Sequence, residues 1–226
     1  MSGVEGLTAA DPSSAVPTLA AYGVAAAHEV YGKAGLLDPS IRPIQQGVRL
    51  AGPAVTVLCP AGDNRMIHMA VERCRPGDVL VVATAPPGDA SGVIGELLAT
   101  ALRAHGVIAA IIDAGVRDIA ELRAMSFPAW SRWITAQGTA KRAAGAVNHS
   151  VVCGGQEVAP GDIIVADDDG VACIAATSAI EVARGVVERV AHESSIRARL
   201  AAGELSADIL GLRDAASGNR TESGEQ

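Results

Sequence analysis

Gly106-Val-Ile-Ala-Ala-Ile-Ile112 is a run of seven residues without one polar side chain, and it limits the folds open to this chain more than any other feature. A strand apolar at every position has no face to give to water. It is therefore expected inside a parallel or mixed sheet that other layers cover on both sides. Upstream, Leu97, Leu98, Ala101 and Leu102 recur at the spacing of a helix's buried face. Strand and helix patterns in alternation predict an α/β fold.

Polar residues follow the apolar run abruptly. Asp113-Ala-Gly115 is expected to turn the chain, and Arg117 and Asp118 fall where the strand ends and a helix begins. Ligands of open α/β sheets tend to lie at such carboxyl ends. Gly92, Gly95 and Glu96 precede the upstream helix, which puts Glu96 in its first turn. Free N–H groups at that end suit a small carboxylate, and glycines let a ligand approach the backbone. Glu96, Arg117, Asp118 and Glu121 thus form the spacing Glu-x20-Arg-Asp-x2-Glu. Carboxylates in such a group can hold Mg²⁺ or Mn²⁺, and Arg117 can stabilise negative charge on an oxygen. The structural alternative stays open: Asp118 three residues before Glu121 is also a capping-box pattern, and Glu96 can simply offset a helix dipole.

Composition narrows the function classes. Aromatic residues are only 2% of the 226, so there is no stacking platform for single-stranded nucleic acid, and a net charge of −7 argues against any polyanion partner. Cys59, Cys74, Cys153 and Cys173 are widely separated, without C-x-x-C or zinc spacing, and read as reduced core thiols. The N-terminus lacks a signal-peptide pattern, and no apolar run approaches the ~20 residues that span a bilayer. A cytoplasmic protein without a membrane partner is expected.

Along the chain, residues 1–17 read as a flexible lead-in, and a small-residue helix is predicted from Thr18 to Tyr31, ended by Gly32 and Gly35. Ile44 to Leu50 and Ala54 to Cys59 read as two strands separated by Gly52-Pro53. Gly62-Asp63-Asn64 starts a helix, while Pro76-Gly77-Asp78 and Pro160-Gly161-Asp162 each introduce a strand. Asp167-Asp168-Asp169-Gly170 reads as a hairpin turn in preference to a metal site. His68 lies in an apolar helix pattern and reads as structural, and the other histidines show no metal spacing. Ser178 and Glu181 open a long helix, and residues 214–226 read as a disordered tail.

Five segments then decide the reading: GDNRMIH (Gly62 to His68), GELLATAL (Gly95 to Leu102), IDAGVRDIAEL (Ile112 to Leu122), QGTAK (Gln137 to Lys141) and PGDIIVADDDGV (Pro160 to Val171). With the tail RARLAAGELSADILGLR (Arg197 to Arg213), they resemble the metal-dependent 4-hydroxy-4-methyl-2-oxoglutarate / 4-carboxy-4-hydroxy-2-oxoadipate aldolases and the related regulator of ribonuclease E activity A proteins, the aldolase branch most closely. The resemblance spans roughly residues 18 to 213.

It implies a single RraA-like, swivelling-domain-like unit over 18–213: an αββα sandwich with a mixed central sheet and a C-terminal helical tail. It also implies a homotrimer, or a hexamer built as a dimer of trimers, with sites between neighbouring subunits. The implied reaction is cleavage of a 4-hydroxy-2-oxo acid to pyruvate plus oxaloacetate or pyruvate, in the catabolism of aromatic compounds, with side decarboxylation of oxaloacetate. Carried over by position, Asp118 would ligate Mg²⁺ or Mn²⁺ directly and Glu96 would hold metal-bound water. Arg117 would face the C2 oxygen of the pyruvyl part. Gly95, Glu96 and the amides of Leu97 and Leu98 would surround its carboxylate, and Glu193 would reach through water into the adjacent subunit's site. Asn148-His149-Ser150 departs from the pattern, where relatives often carry an apolar residue and Pro.

The chemistry agrees with these residues. Retro-aldol cleavage needs a base for the C4 hydroxyl proton and a sink for the electrons left on the pyruvyl fragment, which a chelated divalent metal supplies without a Schiff-base lysine. Two alternatives remain: a non-catalytic, protein-binding regulator on the same fold, and an aldolase or decarboxylase acting on another oxo acid.

Overall fold

The computed structural model describes residues 11–213. The chain separates into two compact units, Met1–Val186 and Val187–Gln226. The first unit opens with a 3₁₀ turn, Pro12–Ala15, capped by the Asp11 carboxylate, and α1 (Val16–Val30) follows at once. The segment expected to be a loose lead-in is therefore helical from Pro12 onwards. Next come β1 (Arg42–Pro43), β2 (Leu50–Pro60), α2 (Arg65–Ala70), β3 (Val79–Ala85) and β4 (Gly92–Ile94). They are followed by α3 (Glu96–Ala104), β5 (Ala109–Val116), α4 (Ile119–Ala124) and β6 (Ala129–Ile134). The short β7 (Ala146–Val147), β8 (Val151–Cys153) and β9 (Gln156–Val158) lead into the hairpin of β10 (Ile163–Asp167) and β11 (Gly170–Ile174), after which α5 (Ala179–Ala201) begins.

One mixed sheet organises the first unit, in the order β1-β6-β5-β3-β2-β10-β11. Its centre, β6-β5-β3-β2, is parallel, while β1, β10 and β11 join antiparallel. The mixed α/β expectation is met. β5 carries the apolar run, and all eight of its residues are buried. One face of the sheet packs Val55, Leu80, Val82, Ala110 and Ile112 against Ile67 of α2, Leu98 and Leu102 of α3, and Leu122 of α4. The other packs Val79, Val81, Ala109 and Ile111 against Leu37, Ile41, Trp130 and the β8–β9 hairpin. Six core side chains from β5 alone, at about 1.5–3 kcal/mol for each Ile buried, show how a chain almost without aromatics still builds two apolar layers.

Four local expectations are corrected. Asp113-Ala-Gly115 is not a turn: β5 runs on to Val116, and the register against β6 shifts between Ile112 and Gly115. The polar signal marks an irregularity inside the strand. A side chain at Gly115 would collide with the Ala90 and Ser91 carbonyls and Thr135, so glycine is needed there for β4 and the β6 end to approach. Gly52-Pro53 does not separate two strands either. β2 passes through it while changing neighbours, pairing with β10 over Leu50–Pro53 and with β3 from Ala54 onward. The missing proline N–H thus falls at the handover, and Gly52 leaves room for the Gly77 carbonyl. Ile44 to Gly47, expected in a strand, form bends, and Leu97 of the expected buried helix face is 83% exposed.

Two buried carboxylates inside the unit are tied down. Asp113, 5% exposed, accepts from Arg132 Nε and from the Gly154 N–H at 2.8 Å, which fastens β5 to β6 and to the β8–β9 turn. Asp167 accepts the Val24 N–H at 2.9 Å where Gly23 breaks α1 at φ +80°, so the acidic Asp167–Asp169 turn closes a hairpin and also caps a kinked helix. The four cysteines are free thiols; burial pushes those of Cys59 and Cys173 up to about 12 and that of Cys74 to about 11.

Within the second unit, α5 continues to Ala201 and a short α6 (Ser206–Ile209) follows; Arg199 pairs with Glu204 at 2.7 Å and Arg213 with Asp208. The expected tail, 214–226, lies outside the described residues. No helix among the described residues is long and apolar enough to cross a membrane.

Asp38 supplies a pH test of this framework. Hydrogen bonds from the backbone and side chain of Ser40, and then from Arg132, lower its carboxyl from 3.8 to about 2. A folded-state value depressed in this way contributes stability that is full above the unfolded value and disappears as pH falls through the folded one. Between pH 3.8 and about 2 the protein is expected to lose this share of its stability. Asp38→Asn should flatten the acid limb of a urea-denaturation series over that window, and an unchanged slope would count against the assignment.

Candidate active site

β5 and β4 end side by side, with Gly92 opposite Gly115 and Ile94 opposite Val116. This pairing delivers Gly95–Glu96 and Arg117–Asp118 to one edge, and the Arg117 N–H donates to the Ile94 carbonyl at 3.0 Å. Three glycines make room for the Arg117 side chain. A Cβ on Gly92 would sit 3.1 Å from Arg117 Cβ, one on Gly95 2.9 Å from its Nε, and one on Gly138 3.3 Å from its Nη1. Gly138 arrives because the Gly92 N–H donates to the Gln137 carbonyl at 2.8 Å. Sequence reasoning singled out Gly92 and Gly95 as backbone openings for a ligand. Gly138, inside the quoted QGTAK segment, acts with them as a seat for the guanidinium.

Asp118 occupies the N-cap position of α4 in the left-handed region, φ +56°, a conformation that costs a non-glycine residue about 1 kcal/mol. Its side chain makes no capping bond to its own helix. The carboxylate instead turns across the gap, and Oδ2 accepts the Glu96 N–H, the first of α3, at 2.9 Å. The capping-box alternative drawn from Asp118 and Glu121 is therefore not what this backbone builds. Arg117 Nε stands 3.7 Å from the same Oδ2, both side chains being about two-fifths exposed. Such a pair contributes little to stability.

α3 begins beside this carboxylate. Gly95 is extended and supplies no side-chain cap. The N–H groups of Leu97 and Leu98 belong to a first turn that has no intrahelical acceptors. Glu96 is exposed in that turn. One edge thus collects two carboxylates, a guanidinium and a helix N-terminus, which is the equipment to hold an oxyanion next to a hard cation. Among the described residues no three His, Cys, Asp or Glu side chains gather around one point. That donor set cannot form an all-protein cage, but one or two carboxylates completed by water and substrate oxygens is the way Mg²⁺ is commonly held.

Glu121 is exposed in the first turn of α4. Glu193 belongs to the second unit, where it pairs with Arg189 one turn back on α5 at 2.8 Å. Asn148, in the stretch departing from the family pattern, takes a left-handed φ of +57° and is fixed by its N–H to the Thr56 carbonyl at 2.8 Å. His68 is held below its ordinary value by partial burial and by the Lys141 charge.

The model of the family described as RraA-like, Aldolase/RraA, matches residues 20–173. A protein of Halalkalibacterium halodurans named "Putative 4-hydroxy-4-methyl-2-oxoglutarate aldolase" is 34% identical over 139 residues, 61% of this chain and 65% of that protein, so the match spans just under two thirds of the relative's length. A Burkholderia multivorans protein of the same name is 35% identical over 71% of this chain and 98% of its own length. Among solved structures, an uncharacterized Pseudomonas syringae protein superposes with a TM-score of 0.75 at 23% identity, covering 85% of this chain and 90% of that one. Streptomyces coelicolor RraAS2, described as an unusual member of the RNase ES inhibitor RraA protein family, gives 0.72 at 26% identity over 81% and 96%.

The crossed cap yields a stability test. Asn also tolerates the left-handed region, so Asp118→Asn is expected to move the melting temperature by no more than about 3 °C. In Gly95→Ala the new methyl would lie 2.3 Å from Asp118 Oδ2. That substitution should cost about 1–3 kcal/mol in denaturant unfolding. The reverse order of the two would show that the carboxylate, and not the open space, holds this edge together.

Proposed function

Because the chain belongs to the RraA-like, Aldolase/RraA family, we propose that it is an aldolase of that family: a divalent-metal-dependent enzyme that cleaves 4-hydroxy-4-methyl-2-oxoglutarate, 4-carboxy-4-hydroxy-2-oxoadipate or both, releasing pyruvate. Two relatives named "Putative 4-hydroxy-4-methyl-2-oxoglutarate aldolase" support the coarser part of this reading. The observation that carries the finer part is the Asp118 carboxylate, turned away from its own helix and set beside Arg117 at the start of α3.

In this reading Asp118 would be the residue that holds Mg²⁺ or Mn²⁺, with Glu96 and, from an adjacent subunit of a homotrimer or a hexamer, Glu193 assisting through water. When bound, such an ion supplies a Lewis-acid sink for the electrons left on a 2-oxo fragment. The protein's own groups perform the rest. The Leu97 and Leu98 N–H groups and the dipole of α3 take the substrate's C1 carboxylate, with Gly95 leaving the backbone open to it. Arg117, steadied over Gly92 and Gly138, donates to the C2 oxygen, where negative charge grows as the C3–C4 bond breaks. The C4 hydroxyl gives up its proton as its oxygen becomes a carbonyl, and Glu96, exposed beside this edge, orders the water through which that proton leaves. Loss of CO₂ from oxaloacetate generates the same enolate, so decarboxylation belongs to the same site.

Pyruvate release from both hydroxy-oxo acids and from oxaloacetate, with and without EDTA, tests the proposal. EDTA is expected to abolish release and added Mg²⁺ or Mn²⁺ to restore it. Asp118→Asn should lower turnover by several orders of magnitude with the melting temperature almost unmoved. Arg117→Lys should lower it about 10²-fold, since lysine lacks the fixed guanidinium fork. Full activity in chelator, with borohydride trapping a substrate adduct, would overturn the metal assignment in favour of an imine. Absence of turnover on every oxo acid would favour a non-catalytic, protein-binding regulator.

For the shared site, inactive Glu193→Ala and inactive Asp118→Ala subunits are mixed and the mixed oligomers verified by mass spectrometry. Recovered turnover is expected if Glu193 acts across an interface, and none if it does not.

A further inference from the structure

A cleft of about 440 Å³ opens between α2, with the turn that follows it, and the segment leading to β8. It shares no residue with the Glu96–Arg117–Asp118 edge. Arg65, Met69, Glu72 and Arg73 line it from the helical side, and Val147 and Asn148 line it from the other. The helical residues recur at i, i+4 and i+7/i+8, so they form one stripe.

Both walls are fixed to β2. β7 pairs with Val57 and Leu58, and Gly145 lies so close to the Leu58 carbonyl that an added Cβ would come within 2.1 Å of it. Asn148 is bonded to Thr56, whose hydroxyl in turn donates to the His149 carbonyl at 2.6 Å. On the helical side, Ile67 and Ala70 are fully buried in the core beneath the stripe. The cleft is thus formed before anything enters it, and its volume lies in the range of small-molecule sites.

Its lining is amphipathic. Met69 is 44% exposed, and Met66 and Val147 are half-buried beside it. Two arginines stand against one glutamate. Arg73 has Glu72 at 3.6 Å with both side chains largely in solvent, and Arg65 donates one Nη1 bond to the Arg142 carbonyl, leaving most of its donors unused. An excess of positive charge here contrasts with a chain of net charge −7.

We propose that this cleft binds a small organic anion: a carboxylate carried on an apolar body of about six to ten carbons, the head on Arg65 and Arg73 and the body on Met66, Met69 and Val147. The methionines adapt to the shape of the chain they cover. A bare inorganic anion leaves this apolar wall wet, and a neutral alkyl chain leaves the remaining guanidinium donors of Arg65 unused. The inference is independent of the aldolase reading.

Calorimetric titration of the full-length protein with octanoate tests it. One octanoate is expected to bind per chain, with octanol at least about tenfold weaker. Arg65→Gln combined with Arg73→Gln should weaken octanoate by about tenfold or more, as should Met69→Glu, each with an unchanged circular dichroism spectrum and melting curve. Asp118→Asn should bind octanoate as the parent does. Equal binding of octanol, indifference to all the cleft substitutions, loss of binding in Asp118→Asn, or no binding at all would overturn the proposal. So would a change of oligomeric state in Met69→Glu together with no octanoate binding by the parent, because a second copy of the chain would then cover the cleft.

Discussion

Eight successive buried residues in β5 leave that strand only one place at which to present charge. With parallel neighbours on both sides and apolar layers above and below, an ionised group along its length must be paired where it stands or be carried to the strand's end. Both solutions occur. Asp113 stays inside and is neutralised by Arg132 and the Gly154 N–H. Arg117 and Asp118 are carried to the end, where β4 and the start of α3 meet them.

That meeting place depends on space more than on attraction. The Arg117–Asp118 pair is partly exposed and contributes little by itself. What sets its geometry is the absence of side chains at Gly92, Gly95 and Gly138 around the arginine, and at Gly115 inside the strand. Asp118 is held in a left-handed conformation by the sharp passage from β5 into α4, and its carboxylate satisfies a first-turn N–H of the neighbouring helix. A group bonded to backbone across a gap, rather than locked in a local cap, is free to exchange that N–H for another ligand at small cost. This suits the proposed site, in which N–H groups at the start of α3 would take an anion.

Much of this was legible in the sequence because its signals are local. The seven-residue apolar run demanded a doubly covered strand, the three Pro/Gly-Asp turns marked strand and helix starts, and the Asp-rich turn closed a hairpin, as its Asp-Gly pair predicts. The order of the quoted segments pointed to the family that the comparisons show. Local signals misled where a residue answers to a distant neighbour. Gly52-Pro53 looked like a break because nothing in the sequence reveals that β2 changes partners there. Asp113-Ala-Gly115 looked like a turn because a strand irregularity uses the same small and polar residues.

The sequence by itself determined the apolar core, the α/β alternation and the placing of Glu96, Arg117 and Asp118 at element ends, since these follow from periodicity and from how few polar residues the core admits. Only the tertiary structure decided what Asp118 does with its carboxylate. The spacing to Glu121 is compatible with a cap on its own helix. The bond to Glu96, 22 positions away, exists because β4 and β5 pair in register and bring two chain ends together. Hydrogen bonds of that reach are set by strand pairing, which sequence separation does not encode.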